Sequence, residues 1–499
     1  MSTIQTNKSD ESMSYSSTNI PACLKVGTAS IRRGIAAKKS LARFSSENSG
    51  TFTPTNNVVR FPISSTGLLS LSEAKFSFDL TNTGATDAVK LDCSAACVIR
   101  QLRVIGMDGT ELERINNYNL LDNIQGQYLG DMDTDNIMGG GPARQSKFPS
   151  FPTRTQAAAA TKGTVVDPVS GLTVACTVTG ATSIMEISST GSSVPYRHEE
   201  SDELNINVAR HYEVGLRSSG WFNTSHKRLL PGSTPFILEL TLADAAACLV
   251  RTGTNDAALS YSVTNPFITV PVVSIQDVQC LQHMEQKMAQ GLSWSAHTYK
   301  HHVNTIATGT GALTSVQIND RSYDLTAMLS VLRPVADLQN VTKYSLGKYS
   351  IQGVTSVQYE ISNTQFPPQA LVVKTDPGAA KTAANVRVIT SANTGFNVSR
   401  LFSEVKMVLS RMGQPHINVS AENFGQSELN NGTGFLAIDL ASYTDSSTNS
   451  GIDTKSVSQN VSLQLGTTAA LGGAQQIDTY CLVGIEFSRM ADGRIMSVY

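Results

Sequence analysis

Apolar and polar residues alternate with a period of two over short runs through most of this 499-residue chain, the pattern of half-buried strands. The run 98–121, VIRQLRVIGMDGTELERINNYNLL, carries the pattern and its punctuation most fully. A strand climbs to Met107, Asp108-Gly109 supplies a turn, and a second strand returns through Thr110, Glu111 and Leu112. Asp-Gly suits a tight hairpin because glycine takes positive φ without a Cβ clash. A two-residue loop sets Ile105 opposite Leu112 and Leu102 opposite Ile115, so apolar pairs fall on both faces. The period then changes. Tyr118, Leu121, Ile124 and Tyr128 recur at helical spacing behind an Asn116-Asn117 cap. The unit reads as strand, turn, strand, short helix.

The same alternation predicts strands at 58–63, 74–80, 173–178, 204–208 and 236–242. In the last of these Phe236, Leu238, Leu240 and Leu242 share one face, and Ile237, Glu239 and Thr241 the other. Residues 131–170 are rich in Gly, Pro and Ala and weakly periodic, which reads as a long loop insertion. Residues 250–266 are polar and read as a linker. Beyond them, 268–282 reads as an opening strand and 323–334 as a strand ending in Arg333-Pro334. In 356–368, Val357, Tyr359 and Ile361 alternate, the chain turns near Asn363, and proline stops the strand. An Asp492-Gly493 turn joins 480–487 to 495–499. The expected divisions are an arm over 1–50, a first β domain over 51–249, a linker over 250–266 and a second β domain over 267–499.

Length agrees with that division, since one core rarely serves so long a chain. Charged residues are only 16% and aromatics 6%, while Thr, Ser, Val, Asn and Gly abound, which favours strands and turns over long helices. A net charge of −2 excludes a generally basic nucleic-acid binder. The seven cysteines (23, 93, 97, 176, 248, 280 and 481) form no CxxC and read as small buried hydrophobes in a reducing compartment. No signal-peptide pattern opens the chain, and no apolar run approaches the ~20 residues of a membrane span. Synthesis in the cytosol is expected. The sequons at Asn7, Asn223, Asn340, Asn397, Asn418, Asn431 and Asn460 then read as chance in an Asn/Ser/Thr-rich chain.

Charge is unevenly placed at the N-terminus. Residues 1–22 are polar and read as flexible. Between 21 and 44 stand Lys25, Arg32, Arg33, Lys38, Lys39 and Arg43 with no acidic residue, and the intervening Ala, Leu and Ile allow a short basic amphipathic helix. Two readings stand side by side: contact with phosphates of nucleic acid or lipid, or a basic face that is solvated or grips an acidic neighbour.

Candidate chemistry is thin. Asp131, Asp133 and Asp135 open like a calcium loop, but Asn136 and Pro142 occupy positions that need Gly and Glu. His283, His297, His301 and His302 cluster without HExxH or a cysteine at ligand spacing, and read as exposed loop histidines. Thr308-Gly-Thr-Gly lacks the rest of a phosphate loop, no G-x-S-x-G is present, and 198–203 (HEESDE) reads as a charged turn. No catalytic constellation, cofactor site or metal site is expected.

The runs NVVRFPI (57–63), AKFSFDL (74–80) and 99–121, the closing segment LPGSTPFILELTL (230–242), YDLTAMLSVLRP (323–334) and SVQYEISNTQFPP (356–368), and the final hairpin resemble, in order and spacing, the double jelly-roll major capsid proteins. These build the shells of adenovirus, tailless membrane-containing phages, large eukaryotic DNA viruses, virophages and polinton-like viruses, and the likeness is greatest to the polinton-like group and virophages. The resemblance implies an all-β fold of two tandem eight-stranded jelly-roll sandwiches, with short helices in the loops. It implies a non-enzymatic structural protein of a double-stranded DNA virus. Three copies would form a pseudo-hexameric homotrimeric capsomer that tiles an icosahedral shell, made in the host cytosol and residing in the virion. Its partners would be itself, neighbouring capsomers, and penton and minor capsid proteins. The six N-terminal cations would face an internal membrane, packaged DNA or a minor protein. A non-viral β-sandwich binding protein of lectin or adhesin type shares the composition and stands as the alternative.

Overall fold

The computed structural model describes residues 37–48, 50–92, 94–129, 159–166, 173–179, 184–187, 204–216, 218–222, 229–251, 258–307, 313–341, 345–346, 349, 354–373, 380–381, 387–388, 399–412, 434–442, 450–455, 460–467, 473–490 and 493–498. The first half opens with strands β1 (Ala37–Ser45), β2 (Val58–Ile63), β3 (Leu68–Ser70), β4 (Lys75–Asn82), β5 (Val89–Leu91), β6 (Ile99–Gly106) and β7 (Glu111–Asn116), followed by helix α1 (Tyr118–Leu129). It continues with β8 (Ala159–Val166), β9 (Thr173–Thr179), β10 (Ile184–Ile187), β11 (Ala209–Gly215), β12 (Leu229–Pro231), β13 (Phe236–Leu242), helix α2 (Ala245–Cys248), β14 (Leu249–Arg251) and β15 (Tyr261–Ile275). One sheet runs β11-β4-β15-β3-β12 with β1 also on β15, and the other runs β2-β13-β6-β7. Phe61 of one sheet meets Phe76 of the other edge-on at 5.9 Å, and Phe78 stacks on Phe76 at 4.7 Å. The inward alternation of β2 and β4 places these rings in one layer.

The second half comprises α3 (Val278–Ala289), β16 (Leu292–Ile306), β17 (Leu313–Ile318), β18 (Leu325–Pro334), β19 (Val354–Ile361), β20 (Thr364–Val372), the short pair β21 (Ala380–Lys381) and β22 (Arg387–Val388), and α4 (Ser399–Arg411). It ends with β23 (Leu436–Asp439), β24 (Val461–Thr467), β25 (Gln475–Arg489) and β26 (Ile495–Val498). Its sheets run β16-β25-β18-β23, with β26 on β25, and β17-β24-β19-β20. Taken in chain order, β16, β17, β18, β19, β20, β23, β24 and β25 divide so that the first strand pairs the last and the second pairs the next to last. The strands β1, β2, β4, β6, β7, β11, β13 and β15 divide in the same order. That nesting is the jelly-roll topology, and its recurrence makes the chain a tandem pair of jelly rolls.

Several sequence expectations move. β1 lies inside the arm expected over 1–50, and it is a strand where a basic helix was allowed. Ala42 and Phe44 alternate onto the core beside Val270 and Ile268, which a strand permits. The linker expected over 250–266 contains most of the first stretch of β15, whose residues 261–269 pair with β4. β15 therefore closes the first sandwich rather than opening the second, and residues 278–282, read as its continuation, start α3. At 204–208 only bridges form, Leu204 to Val89 and Ile206 to Asn82. Asn207 at φ 58° interrupts the run, and the strand begins at Ala209. Pro367 and Pro368 do not end β20. They sit in a bulge on an edge strand, where no ladder N–H is needed.

The 98–121 hairpin forms, with Leu102 opposite Ile115. A bulge beside Val104 shifts the tip, so Ile105 faces Glu111 and not Leu112. Gly109 takes φ +86° in the turn, as the Asp-Gly reading requires. Glu239 points outward from β13 as its alternation predicts, yet it is buried, because Arg60 and Arg103 close over it at 2.8 and 2.6 Å.

Candidate functional site: the seam between the sandwiches

The hairpin strand β7 and helix α1 lie against β16 and β25, so the unit read first in the sequence is the first sandwich's side of a seam. At its centre Glu113 is wholly buried. Its carboxylate accepts from Ser219 Oγ at 2.5 Å, the Gly220 N–H at 2.7 Å, the Trp221 N–H at 3.1 Å and, from the second sandwich, Thr298 Oγ1 at 2.5 Å. Burial pushes the Glu113 carboxyl up from its ordinary value, and these four donors offset only part of that push.

A second buried carboxylate works in the opposite sense. Asp478 on β25 accepts from Arg333 Nε at 3.0 Å and Nη2 at 2.7 Å, and its other oxygen lies 2.9 Å from His301 Nε2. Asn117 Nδ2 reaches the same oxygen from the first sandwich at 3.3 Å, and the Tyr480 hydroxyl donates to the Asn117 carbonyl at 2.8 Å. Burial alone would raise the Asp478 carboxyl, but the Arg333 charge and the His301 contact outweigh it and hold the group well below the usual carboxylate range. Asn117, read as a helix cap, sits at φ 47° where β7 becomes α1, and its side chain is spent on this bridge.

Further along, Asp92 Oδ2 accepts the Ser345 and Leu346 N–H groups at 2.6 and 2.8 Å, and Asn123 Nδ2 donates to the Leu346 carbonyl at 2.7 Å. Gln125 Nε2 donates to the Tyr299 hydroxyl at 2.8 Å. Apolar packing fills between these polar ties. Trp221 meets Phe236 at 5.2 Å on its own side, and Trp294 at 5.6 Å and Phe487 at 4.8 Å across the seam. One continuous cluster of buried apolar residues runs through both sandwiches. The backbones also touch: a Cβ on Gly220 would lie 2.2 Å from the His297 carbonyl oxygen. Chemically the seam fixes two bodies as one, and among the described residues it holds no arrangement of nucleophile and base.

Of the six cations singled out in the sequence, Lys25, Arg32 and Arg33 lie outside the described residues. Lys38, Lys39 and Arg43 fall on β1. Lys39 Nζ pairs with Glu73 at 2.5 Å and the Arg43 guanidinium stacks over Phe267 at 3.8 Å, so both are engaged within the chain, while Lys38 is exposed. The reading of exposed loop histidines fails for His297, His301 and His302, which all stand on β16; His301 is 4% exposed beside Asp478. Sequence spacing missed this because Asp478 is distant in the chain and is brought in only by β16–β25 pairing. Cys97, Cys248, Cys280 and Cys481 are buried free thiols. The acidic triplet at 131–135, the charged run 198–203 and the 308–311 glycines lie outside the described residues, as do 131–158 of the expected insertion, while residues 159–166 form β8. No helix among the described residues is long and apolar enough to cross a membrane.

No family model matches the sequence, and no curated protein matches it. Solved structures do match in fold. A chain of the Sputnik virophage aligns with 95% of this chain and 91% of its own at a TM-score of 0.53 and 10% identity. A chain of the PBCV-1 virus capsid aligns with 95% of this chain and 99% of its own at a TM-score of 0.51 and 11% identity. The fold is the double jelly roll that these viral chains share, over essentially the whole length.

Proposed function

We propose that this chain is a major capsid protein of a double-stranded DNA virus, acting as a homotrimeric, pseudo-hexameric tile of an icosahedral shell. The observation that carries the reading is the seam within a tandem repeat. Inside the chain, the first strand of the second sandwich, β16, abuts the fifth strand of the first, β7. Their topological counterparts, β1 and β20, are edge strands with apolar residues in the open, Leu41 at 70% and Val372 at 54% exposure. Repeating the same sandwich-to-sandwich contact between chains sets β1 of one copy against β20 of the next. A head-to-tail contact of that kind forms a ring where the rotation per copy closes, and a closed ring of six sandwiches takes three chains. The fold shared with the PBCV-1 capsid and Sputnik chains supports the same reading.

In this reading the partners are neighbouring capsomers and penton and minor capsid proteins. Lys25, Arg32, Arg33 and Lys38 would meet an internal membrane, packaged DNA or a minor protein. The chain is made in the host cytosol and ends in the virion. Light scattering on the purified chain, with negative-stain images of the same peak, tests the proposal. Threefold particles of about 160 kDa, three 53.3-kDa chains, are expected. A monomer that forms neither trimers nor shells at high concentration would overturn it.

A further inference from the structure

The second sandwich contains a constellation that shell assembly does not use. His302 on β16 and Cys481 on β25 are diagonal neighbours on one face of their sheet, since Lys300 is paired with Cys481 and His302 with Thr479. Asp320 enters from the loop after β17, a strand of the opposite sheet. The His302 ring nitrogen, an Asp320 oxygen and the Cys481 sulfur all lie within 4.8 Å of one another. Asp320 has a fully buried side chain. Its Oδ2 accepts Ser322 Oγ at 2.5 Å and Thr454 Oγ1 at 3.1 Å, but its buried Oδ1 has no hydrogen-bond partner. His302 Nε2 is likewise buried without a hydrogen bond, and lies 3.8 Å from that oxygen, ion-pair distance for a protonated imidazole but too far for a hydrogen bond. Two buried polar atoms that make no hydrogen bond, beside a buried thiol, call for a shared ligand.

We propose that His302, Asp320 and Cys481 bind one divalent cation of the zinc class, clipping the two sheets of the second sandwich together. The donor set is one imidazole nitrogen, one carboxylate oxygen and one sulfur, which selects a borderline metal such as Zn2+ over the all-oxygen cations. Bonds of about 2.0–2.3 Å place tetrahedral ligand atoms about 3–4 Å apart, so a small inward movement from the present spacing closes the site. On binding, the Cys481 thiol gives its proton to solvent and the thiolate bonds the metal, with water in the fourth position. Lys300 Nζ hydrogen-bonds the Arg321 carbonyl at 2.7 Å and makes only a loose ion pair with Asp320 Oδ1 at 4.0 Å, a contact that a bound cation would displace. The inference stands apart from the capsid reading, because it concerns one chain's own sandwich.

The test is made on the full chain stripped with a chelator. Zn2+ retained after gel filtration is measured by elemental analysis, and Co2+ is titrated in place of zinc. The expected result is one equivalent per chain, a thiolate-to-cobalt charge-transfer band and a raised melting temperature with zinc. Cys481→Ser should abolish the band, His302→Gln and Asp320→Asn should weaken affinity by more than roughly tenfold, and Cys280→Ser should leave both unchanged. A wild-type chain with no charge-transfer band overturns the proposal whatever the variants do. So does zinc retained equally by wild type and all three ligand variants.

Discussion

Glu113 of the first sandwich and Thr298 of the second meet at 2.5 Å, carboxylate oxygen to hydroxyl, at a point wholly closed to solvent. The contact completes a socket whose other donors are Ser219, Gly220 and Trp221. Glu113→Ala therefore takes an acceptor from four donors at once, although the Trp221 N–H keeps Ser219 Oγ at 3.2 Å. The expected loss is about 3–5 kcal/mol, from several buried donors left unsatisfied at about 1–3 kcal/mol each, read from urea denaturation. Glu113→Gln keeps an acceptor oxygen and should cost less, about 1–3 kcal/mol.

The two seam carboxylates should give opposite pH signatures. Glu113 titrates above its ordinary 4.5 in the folded chain, so the folded state holds that proton more tightly than the unfolded one. Its contribution is full below pH 4.5 and is lost as pH rises through the raised value. Asp478 titrates below its ordinary 3.8, so its contribution is full above that pH and is lost as pH falls through the lowered value. Stability measured against pH should lose its downward slope above 4.5 in Glu113→Gln. The deficit of Asp478→Asn should be largest at neutral pH and shrink in acid. Parallel curves for wild type and both variants would refute the assignment.

Arg333 and Asp478 form a two-pronged buried pair, so truncating either strips the other of this pairing and leaves only neutral donors, His301 or a backbone carbonyl beside it. Asp478→Ala is expected to cost about 3–5 kcal/mol, whereas a double replacement by apolar residues of similar size should recover much of the loss. A double-mutant cycle by thermal or urea unfolding checks both.

Much of this fold was legible in period alone. Residues 58–63 and 236–242 alternate cleanly and form strands with those bounds, and the 98–121 unit appeared with its turn and helix in place. The larger misses share a cause: pairing partners far away in sequence. Nothing local marks 261–275 as the last strand of the first sandwich, because its polar start looks like a linker until β4 supplies the ladder. Arg333 was visible as an Arg-Pro ending, but not its pairing with Asp478. His302 and Cys481 could not be joined either, since they stand on different strands and only the β16–β25 register brings them together.

Leu41 and Val372 bear on assembly. Burying each side chain contributes about 1.5–3 kcal/mol, so Leu41→Asp or Val372→Asp should weaken trimer formation roughly 10- to 100-fold. Light scattering across a dilution series reads the shift, with circular dichroism checking that the strands remain. Trimers of undiminished stability in both variants would show that β1 and β20 do not meet in the ring.

Gly220 tests whether the seam is rigid. Its backbone lies so close to β16 that a methyl group would sit 2.2 Å from the His297 carbonyl oxygen and 3.1 Å from Glu113 Oε1. Neither neighbour is the end of a flexible chain: one is strand backbone and the other is held by its four donors. Gly220→Ala must therefore push the sandwiches apart, and overpacking of this kind costs about 1–3 kcal/mol or more. The chain carries its own reporter, because its two tryptophans, Trp221 and Trp294, face each other across this seam at 5.6 Å. Opening the seam should wet both indoles, so Gly220→Ala is expected to red-shift the emission of the folded protein while far-ultraviolet circular dichroism stays unchanged. In the wild type, fluorescence and circular dichroism should instead change together on unfolding, as one cooperative unit requires. A fluorescence transition that precedes the loss of strand signal in the wild type would mean that the sandwiches part before they unfold, and the seam would not be the lock described here.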